Sequence, residues 1–196
     1  MLKRLFDIIS SIIGLSLLMP FLIILSIAII MESRGGVFYL QTRVGKNNKD
    51  FKLYKFRSMA VGSDKKGLLT VGANDSRITK VGLIIRKYKL DEFAQLINVL
   101  IGNMSLVGPR PEVRKYVDMY NDEQKKVLEV KPGITDYASL EYFDENEVLA
   151  KSDNPEQTYI NEVMPHKLEL NMKYIDNNNL LIDIGLIFKT VFKILR

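Results

Sequence analysis

The chain has 196 residues, of which 47% are hydrophobic, so it holds enough material for one compact domain and little more. Its formal net charge of +5 favours anionic partners such as nucleic acid, acidic lipid headgroups or phosphorylated substrates. The sequence has no cysteine and one histidine, His166. This excludes disulfides, thiolate metal sites and cysteine nucleophiles, and argues against a histidine-based metal site.

The first element along the chain is an apolar segment of 24 residues, from Ile8 to Met31, bounded by Asp7 and Glu32. As a straight helix it would be about 36 Å long, enough to cross a hydrocarbon core of about 30 Å. A cleavable signal peptide fits less well, because the segment is longer than a usual signal core and no small-residue cleavage site follows it.

Pro20 lies near the middle of this segment, where it removes a backbone donor, frees the carbonyl of Ser16 and predicts a kink. Basic residues flank the segment on both sides, and the positive-inside tendency therefore favours two cytoplasmic flanks. A helix-break-helix hairpin satisfies that tendency, with an ordinary kinked transmembrane helix as the alternative. The basic residues are Lys3 and Arg4 before the segment and Arg34, Arg43, Lys46, Lys49 and Lys52 after it.

Short elements are predicted after Gly35-Gly36, which breaks the helix. Residues 37–41 and 51–56 are typical of strands around a turn at 45–48, and residues 60–77 are typical of a polar loop. A basic helix is predicted at 81–88. In the next helix, which Gly102 ends, apolar residues fall on one face. They are Phe93, Leu96, Ile97, Leu100 and Ile101.

The second half of the chain is predicted to be mainly helical. Pro111 suits the first turn of a helix that reaches about Val130 and ends at Pro132-Gly133. Residues 141–157 are acidic and typical of a loop, and 158–178 are predicted to be helical. The last segment, 180–196, predicts an amphipathic helix with cationic anchors that can lie on a membrane surface. A terminal helix that faces the core is the alternative.

Asp91-Glu92 places two adjacent carboxylates at a helix start, with Arg86, Lys87 and Lys89 just upstream. Acidic residues are common there as caps, which is the simpler explanation of the pair alone. A carboxylate can also attack phosphorus to form an acyl phosphate, and its neighbour can act as a base or help to hold Mg²⁺. Because adjacent helical residues diverge by about 100°, we expect the two to have different roles.

Gly108-Pro109-Arg110-Pro111 combines a rigid turn, an arginine and a predicted helix start, and so favours phosphate binding. A rigid connector is the alternative. Lys55 and Arg57 alternate along a predicted strand, where they are either solvated or line an anionic site. His166 is expected at the surface without a role. The nine tyrosines are not spaced for base stacking, which argues against nucleic acid as a partner.

Several ordered motifs now point to a family. With them, the chain resembles the bacterial sugar transferases, specifically the monotopic polyprenyl-phosphate phosphoglycosyl transferases in their short, catalytic-core form. The motifs are the apolar N-terminus with Pro20, Arg34 to Tyr39, Lys55 to Met59, Asp75 to Thr79, Leu90-Asp91-Glu92, Asn98-Val99-Leu100, Met104 to Pro111 and Pro132 to Thr135.

The resemblance implies an α+β, mainly helical fold with a kinked re-entrant membrane helix at 1–33, a small β-hairpin and amphipathic interfacial helices. Residues 34–196 would form a catalytic domain on the cytoplasmic face of the bacterial inner membrane. The implied reaction is ping-pong. An aspartate attacks the β-phosphate of a UDP-sugar, UMP leaves, and the sugar phosphate then passes to undecaprenyl phosphate.

Carried over by motif, Asp91 resembles the nucleophile and a Mg²⁺ ligand, and Glu92 its acid/base partner. Lys55, Arg86 and Arg110 resemble residues of the diphosphate site, and we add Arg57 and Pro111 as candidate substrate-binding residues. Further expected partners are a phospholipid membrane and a second copy of the chain in a homodimer, although the sequence leaves the oligomeric state open.

The chain departs from the family pattern at Met19, Ala94 and Asp136 to Ser139, which leaves the sugar unidentified. Two functional alternatives remain at this point. One is a non-catalytic, membrane-anchored basic scaffold that binds anionic lipid or assembly partners. The weaker one is a transmembrane protein that binds nucleic acid.

Overall fold

A computed structural model describes residues 1–63 and 75–195 of the chain. The fold is α+β and mainly helical, as predicted. The helices are α1 (Leu2–Glu32), α2 (Lys80–Lys87), α3 (Gln95–Ile101), α4 (Arg114–Val117), α5 (Tyr137–Glu141), α6 (Glu145–Ala150), α7 (Pro155–Thr158), α8 (Met164–Asn177) and α9 (Leu180–Leu195). The strands are β1 (Phe38–Val44), β2 (Asp50–Phe56), β3 (Ser105–Val107) and β4 (Gly133–Thr135). Shorter helical turns lie at Lys46–Asn48, Leu90–Ala94, Gln124–Glu129 and Tyr159–Val163.

Helix α1 runs through Pro20 without interruption for 31 residues, a length of about 46 Å. It is long and apolar enough to cross a membrane by length and composition, and 11% of its most apolar window is buried. Pro20 and Ser16 are both exposed. The helix is therefore continuous where a break was expected, and the kinked re-entrant topology stays a prediction.

Both ends of α1 contact the rest of the described chain. Near its start, Lys3 forms an ion pair with Asp183 of α9, and the Arg4 guanidinium donates to carbonyl oxygens of α3. At its end, the Glu32 carboxylate accepts hydrogen bonds from the first two amides of α2. One compact body thus holds the helix at two points that are about 40 Å apart along its axis.

The predicted hairpin is confirmed and is longer than expected. Strands β1 and β2 pair in antiparallel fashion from Phe38 opposite Phe56 to Val44 opposite Asp50. The Asn98 side chain of α3 binds the free edge of β2, since it accepts from the Tyr54 amide at 2.9 Å and donates to the Lys52 carbonyl at 2.7 Å. The hairpin is thereby fixed to α3.

Strands β3 and β4 form a second, parallel pair, with Ser105 opposite Gly133 and Val107 opposite Thr135. Their backbones approach so closely just beyond β3 that a Cβ on Gly133 would overlap the amide nitrogen of Gly108. Only glycine permits this approach. Because the carboxyl ends of parallel strands meet at one edge, the residues that follow β3 and β4 come together there.

Two predictions for the second half are wrong. The long helix expected from Pro111 is replaced by extended backbone to Val113, the four-residue α4 and a separate turn at Gln124–Glu129. Reciprocal hydrogen bonds between the side chains and amides of Asn121 and Gln124 compete with helix continuation at this point. The loop expected at 141–157 contains α6 and α7, and acidic residues lie in the first turn of each, where they favour a helix.

The other helices are confirmed: α2, α3 with its stop at Gly102 (φ 102°), the helical segment 159–177 and α9. In α9 the buried side carries both Asp183 and Leu186, while Leu181 and Phe192 are 82% and 70% exposed. In α3 the fully buried residues include the polar Gln95 and Asn98, whereas Ile101 is 58% exposed, so the predicted apolar face is not the buried one. Of the predicted polar loop at 60–77, residues 64–74 lie outside the described residues.

Candidate active site

A cleft of about 700 Å³ collects the residues that the sequence singled out. It lies between the hairpin, the turn at Leu90–Ala94, the ends of β3 and β4, and helices α5, α6, α8 and α9. Every predicted catalytic or substrate-binding residue lines it: Lys55, Arg57, Arg86, Asp91, Glu92, Arg110 and Pro111. Residues from four separate stretches of the chain are thus brought into one site.

The backbone before the acidic pair turns sharply. Helix α2 is followed by Tyr88 and then by Lys89. The backbone of Lys89 is left-handed, with φ 52°, and the turn Leu90–Ala94 follows directly. The carboxylates of Asp91 and Glu92 diverge from this turn and have different partners, as expected for adjacent helical residues. Asp91 is 7% exposed, and its Oδ2 lies 2.9 Å from the Lys55 ammonium group of β2.

Glu92 and Arg110 form a two-pronged ion pair, with distances of 2.5 Å from Nη2 to Oε1 and 3.2 Å from Nη1 to Oε2. Burial alone would raise the pKa of Glu92, but Arg110 outweighs it, with smaller contributions from Lys55 and Lys89, so the pKa is lowered. The same pairing raises the pKa of Arg110 against the effect of its own burial. Glu92 is therefore ionised at neutral pH.

Arg110 reaches this position from the end of β3 and not from a helix start, so the predicted phosphate site at helix amides is wrong. Its amide donates to Asp136 Oδ2 at 3.0 Å, and Asp136 is fully buried and caps α5 through Ser139. Pro111 is buried in extended backbone, and its carbonyl accepts from Arg43 at 3.0 Å. Pro109 and Pro111, on either side of Arg110, fix the conformation of the turn. The guanidinium of Arg110 is then the group in this turn that can take part in the chemistry.

Arg86, near the end of α2, offers a cation with few protein partners. Its Nε donates to the Ser58 hydroxyl at 3.1 Å, and it forms no ion pair with a carboxylate in the described part of the chain. Burial lowers the pKa of this guanidinium, while the charge of Asp91, and then that of Asp75, opposes the effect. The side chain stays charged and can bind an anion in the cleft.

Arg57 lines the cleft, but its hydrogen bonds go elsewhere. It is 7% exposed and donates to three carbonyl oxygens at the end of α1. These are the carbonyl oxygens of Ile29 at 3.3 Å, Ser33 at 2.8 Å and Arg34 at 2.7 Å. It therefore caps the C-terminus of α1. Its substrate-binding role stays a prediction, and these contacts give it a second, structural role.

The carboxylates of the described residues decide whether the cleft fits Mg²⁺. Residues 1–63 and 75–195 contain no group of three or more acidic or histidine side chains that could hold a metal ion. Mg²⁺ often takes only one or two protein carboxylates and completes its shell with water and substrate phosphates. The buried Asp91 carboxylate fits such a partial site, which a bound diphosphate would complete.

The far part of the cleft contains polar groups that the sequence did not reveal. Glu112 accepts hydrogen bonds from the Tyr159 hydroxyl and, at 3.0 Å, from Arg43. Burial, followed by the charges of Glu156 and Glu112, raises the pKa of Tyr116 to about 12. Asn171 Oδ1 is buried and has no hydrogen-bond partner in the described residues. Glu112 could have been suspected from its place beside Arg110-Pro111, but Tyr159 carries no local signal.

Comparison with known proteins places the whole chain in one group. A family model described as bacterial sugar transferase matches residues 1–196. The chain is 39% identical, over 99% of its length, to a UDP-N-acetylgalactosamine-undecaprenyl-phosphate N-acetylgalactosaminephosphotransferase of Aeromonas hydrophila, of which it covers 44%. It is 36% identical, over 98% of its length, to a UDP-glucose:undecaprenyl-phosphate glucose-1-phosphate transferase of Escherichia coli K12, of which it covers 40%.

A shorter relative matches along most of its own length. The chain is 38% identical, over 99% of its length, to the uncharacterized sugar transferase EpsL of Bacillus subtilis, of which it covers 87%. By contrast, it spans less than half the length of the Aeromonas and Escherichia proteins. The match to those longer proteins therefore includes the long apolar helix α1 and the residues of the cleft described above.

Proposed function

Since the chain belongs to the bacterial sugar transferase family, we propose that it transfers a sugar-1-phosphate from a UDP-sugar to undecaprenyl phosphate and releases UMP. One observation carries the proposal at the level of chemistry. A buried carboxylate, Asp91, lies 2.9 Å from Lys55 in a cleft that also holds Arg86 and Arg110. A nucleophile and several cations for a diphosphate thus share one site.

Donor binding uses the cations of the cleft. A nucleotide sugar is a typical ligand for a cleft of this volume. Arg86 binds a diphosphate oxygen, and Lys55, 2.9 Å from Asp91, contacts both that carboxylate and the diphosphate. Mg²⁺, held by Asp91 and the diphosphate, would neutralise negative charge when bound. The polar groups around Glu112 and Tyr159 are then available to the sugar or the nucleoside.

The first chemical step is a displacement at the β-phosphorus. A bond forms between an Asp91 oxygen and phosphorus, the bond from that phosphorus to the bridging oxygen breaks, and UMP leaves with the electron pair. Lys55 aligns the carboxylate and lowers the repulsion between it and the anionic donor. The sugar phosphate is then bound to Asp91 as an acyl phosphate.

In the second step an oxygen of undecaprenyl phosphate attacks the same phosphorus, which regenerates the Asp91 carboxylate and gives a diphosphate-linked carrier. Glu92, which Arg110 keeps ionised, acts as a base towards the acceptor phosphate when that phosphate carries a proton. Since the acceptor is a lipid, the cleft must lie at a membrane surface. The apolar helix α1 and the exposed apolar side of α9 support such a location.

The structure supports the re-entrant topology in one further respect. A helix that spanned the bilayer once would place its ends on opposite sides, whereas one body holds both ends of α1. We therefore propose that the chain lies on the cytoplasmic face of the bacterial inner membrane, with α1 entering and leaving on that face.

The function is tested by measuring UMP release from a panel of UDP-sugars with undecaprenyl phosphate in lipid nanodiscs. The relatives' names specify N-acetylgalactosamine and glucose, so both belong in the panel. We expect one donor to give UMP and a phosphosugar adduct on Asp91, detectable by mass spectrometry. Lipid binding without UMP from any donor would instead favour the scaffold alternative.

The nucleophile is tested with Asp91→Asn, which keeps the size of the side chain and removes its charge. We expect no adduct and no turnover. Asp118→Asn is the matched control, because that carboxylate is 62% exposed and lies directly after α4, outside the cleft lining. UMP release at the wild-type rate from a folded Asp91→Asn protein would refute the assignment.

A further inference from the structure

Residues 80–101 form a continuous arch that carries the acidic pair in its middle. Helix α2 ends with Arg86 and Lys87, the turn Leu90–Ala94 holds Asp91 and Glu92, and α3 completes the arch. We call these residues the catalytic arch. Its two ends contact opposite ends of the same membrane helix.

Glu32, the last residue of α1, binds the start of the arch. Its carboxylate accepts from the Lys80 amide at 2.6 Å and from the Val81 amide at 2.9 Å. The next amide of α2, from Gly82, donates to the Thr79 hydroxyl at 2.9 Å. Glu32 therefore supplies, from another helix, the caps that the residues before α2 do not provide.

Arg4, in the first turn of α1, binds the end of the arch. Its guanidinium donates to the carbonyl oxygens of Val99 and, at 2.9 Å, Leu100, which are in the last turn of α3. A cation at this position satisfies free carbonyl groups and complements the helix dipole. Gly102 ends the helix beneath it, and a Cβ there would lie 3.3 Å from the guanidinium.

Between these two contacts, α1 packs along the arch. Leu25 and Ile29 of α1 are buried in one cluster with Ile85 of α2 and Ala94 of the turn. A Cβ on Gly14 would come within 3.4 Å of Leu96, so α1 and α3 approach closely there. We infer that α1 is a brace for the catalytic arch, in which Glu32 and Arg4 are positioning residues that hold Asp91 in place against Lys55.

The inference assigns the membrane helix a task beyond anchoring. Neither Glu32 nor Arg4 lines the cleft, so neither touches substrate. Their loss should let the arch move relative to the hairpin that carries Lys55. Such a movement would affect the reacting carboxylate more than the cations that bind the donor, and so turnover more than donor affinity.

The kinetic test rests on the proposed function and uses the full chain in nanodiscs. For Glu32→Ala and Arg4→Gln we expect kcat for UMP release to fall at least about fivefold, with the donor KM changed less than about twofold. Glu32→Gln keeps an acceptor oxygen and should restore part of the loss. The matched controls are Glu156→Gln and Arg114→Gln, whose side chains form half-exposed surface ion pairs and do not line the cleft, and they should leave kcat unchanged.

A distance test does not depend on activity, and the absence of native cysteine makes it direct. Spin labels on Lys49→Cys with Lys87→Cys report α2 against the hairpin, and those on Lys49→Cys with Ile101→Cys report α3. We expect Glu32→Ala to broaden the first distance distribution and Arg4→Gln the second, while Glu156→Gln changes neither. Unchanged distributions overturn the brace, whatever the activity, and changed distributions with full kcat overturn the positioning roles.

Discussion

Asp91 and Glu92 are neighbours in sequence that have different electrostatic partners. Asp91 faces one lysine at 2.9 Å, whereas Glu92 is held by both prongs of Arg110. The arginine therefore sets the protonation of Glu92, and the two carboxylates can serve as nucleophile and base without exchanging roles.

Replacing Arg110 with glutamine should raise the pKa of Glu92, because burial would then act without the opposing cation. A base with a higher pKa is protonated at higher pH, so the acidic limb of the kcat profile should move to higher pH. Arg110→Lys keeps the charge and loses the two-pronged geometry, so it should lower kcat and move the limb less.

This shift is measured as UMP release between pH 4 and 8, with Arg114→Gln as a control that removes a surface arginine. An acidic limb at the same pH in wild type and Arg110→Gln would show that Glu92 is not the group that titrates.

Arg57→Lys separates the structural role of this side chain from its predicted role in substrate binding. An ammonium group cannot reach all three carbonyl oxygens at the end of α1, so we expect a loss of about 2 kcal/mol. The thermal midpoint should fall by about 4 to 8 °C, with the donor KM changed less than about twofold. A large rise in KM at an unchanged midpoint would instead support direct contact with substrate.

Sequence reasoning predicted which residues lie together in the cleft better than it predicted their partners. The basic residues before Asp91-Glu92 and the turn at Arg110 were visible as local patterns, and the structure brings them into one cleft. The structural role of Arg57 could not be predicted from a local pattern, because the carbonyl groups that it binds lie 23 to 28 residues earlier in the chain. The Tyr159–Glu112 contact joins residues 47 apart and is set by tertiary packing alone.

Among the secondary-structure elements, α1 and α9 are joined by a largely buried ion pair. Asp183 is 1% exposed and accepts from both Lys3 and the Tyr174 hydroxyl, the latter at 2.6 Å. The pKa of Tyr174 is raised by burial and by Asp183, so the hydroxyl stays a donor. The contact fixes the start of the long apolar helix α1 to α9.

Asp183→Ala should therefore destabilise the protein by about 3 kcal/mol. This value is at the lower end of the range for breaking a buried ion pair, because the Lys3 side chain is 38% exposed. In nanodiscs this corresponds to a fall of about 6 to 12 °C in the thermal midpoint. Asp176→Ala removes an exposed carboxylate of α8 and is the control. Equal midpoints for the two variants would contradict a stabilising role of the pair.

Helices were easier to predict than the faces they bury. The apolar spacing of α3 predicted the helix and its stop, but Asn98 is buried because its amide completes the edge of β2. Periodicity detects an apolar stripe and cannot tell whether protein or lipid covers it. The proline at position 111 was a misleading helix signal, because Pro109 and Pro111 together favour extended backbone.

For the whole molecule, the main geometric fact is that one body holds both ends of α1. Cysteines introduced singly at Leu2, which is 67% exposed, and at Lys46 should react with a membrane-impermeant maleimide from the same, cytoplasmic side. Intact and permeabilised cells distinguish the two sides. Labelling of position 2 from the periplasm would contradict the re-entrant topology and favour a single span.

Lys89 shows what the geometry at the centre of the arch costs. Its left-handed backbone (φ 52°) would be less strained with glycine, by about 1 kcal/mol. Yet its ammonium group donates to the Phe143 carbonyl at 3.0 Å and helps to keep Glu92 ionised. Selection for stability alone would replace this lysine, and selection for the charge at the site would keep it. The sequence that makes this turn most stable is therefore not the one that places a cation beside the acidic pair.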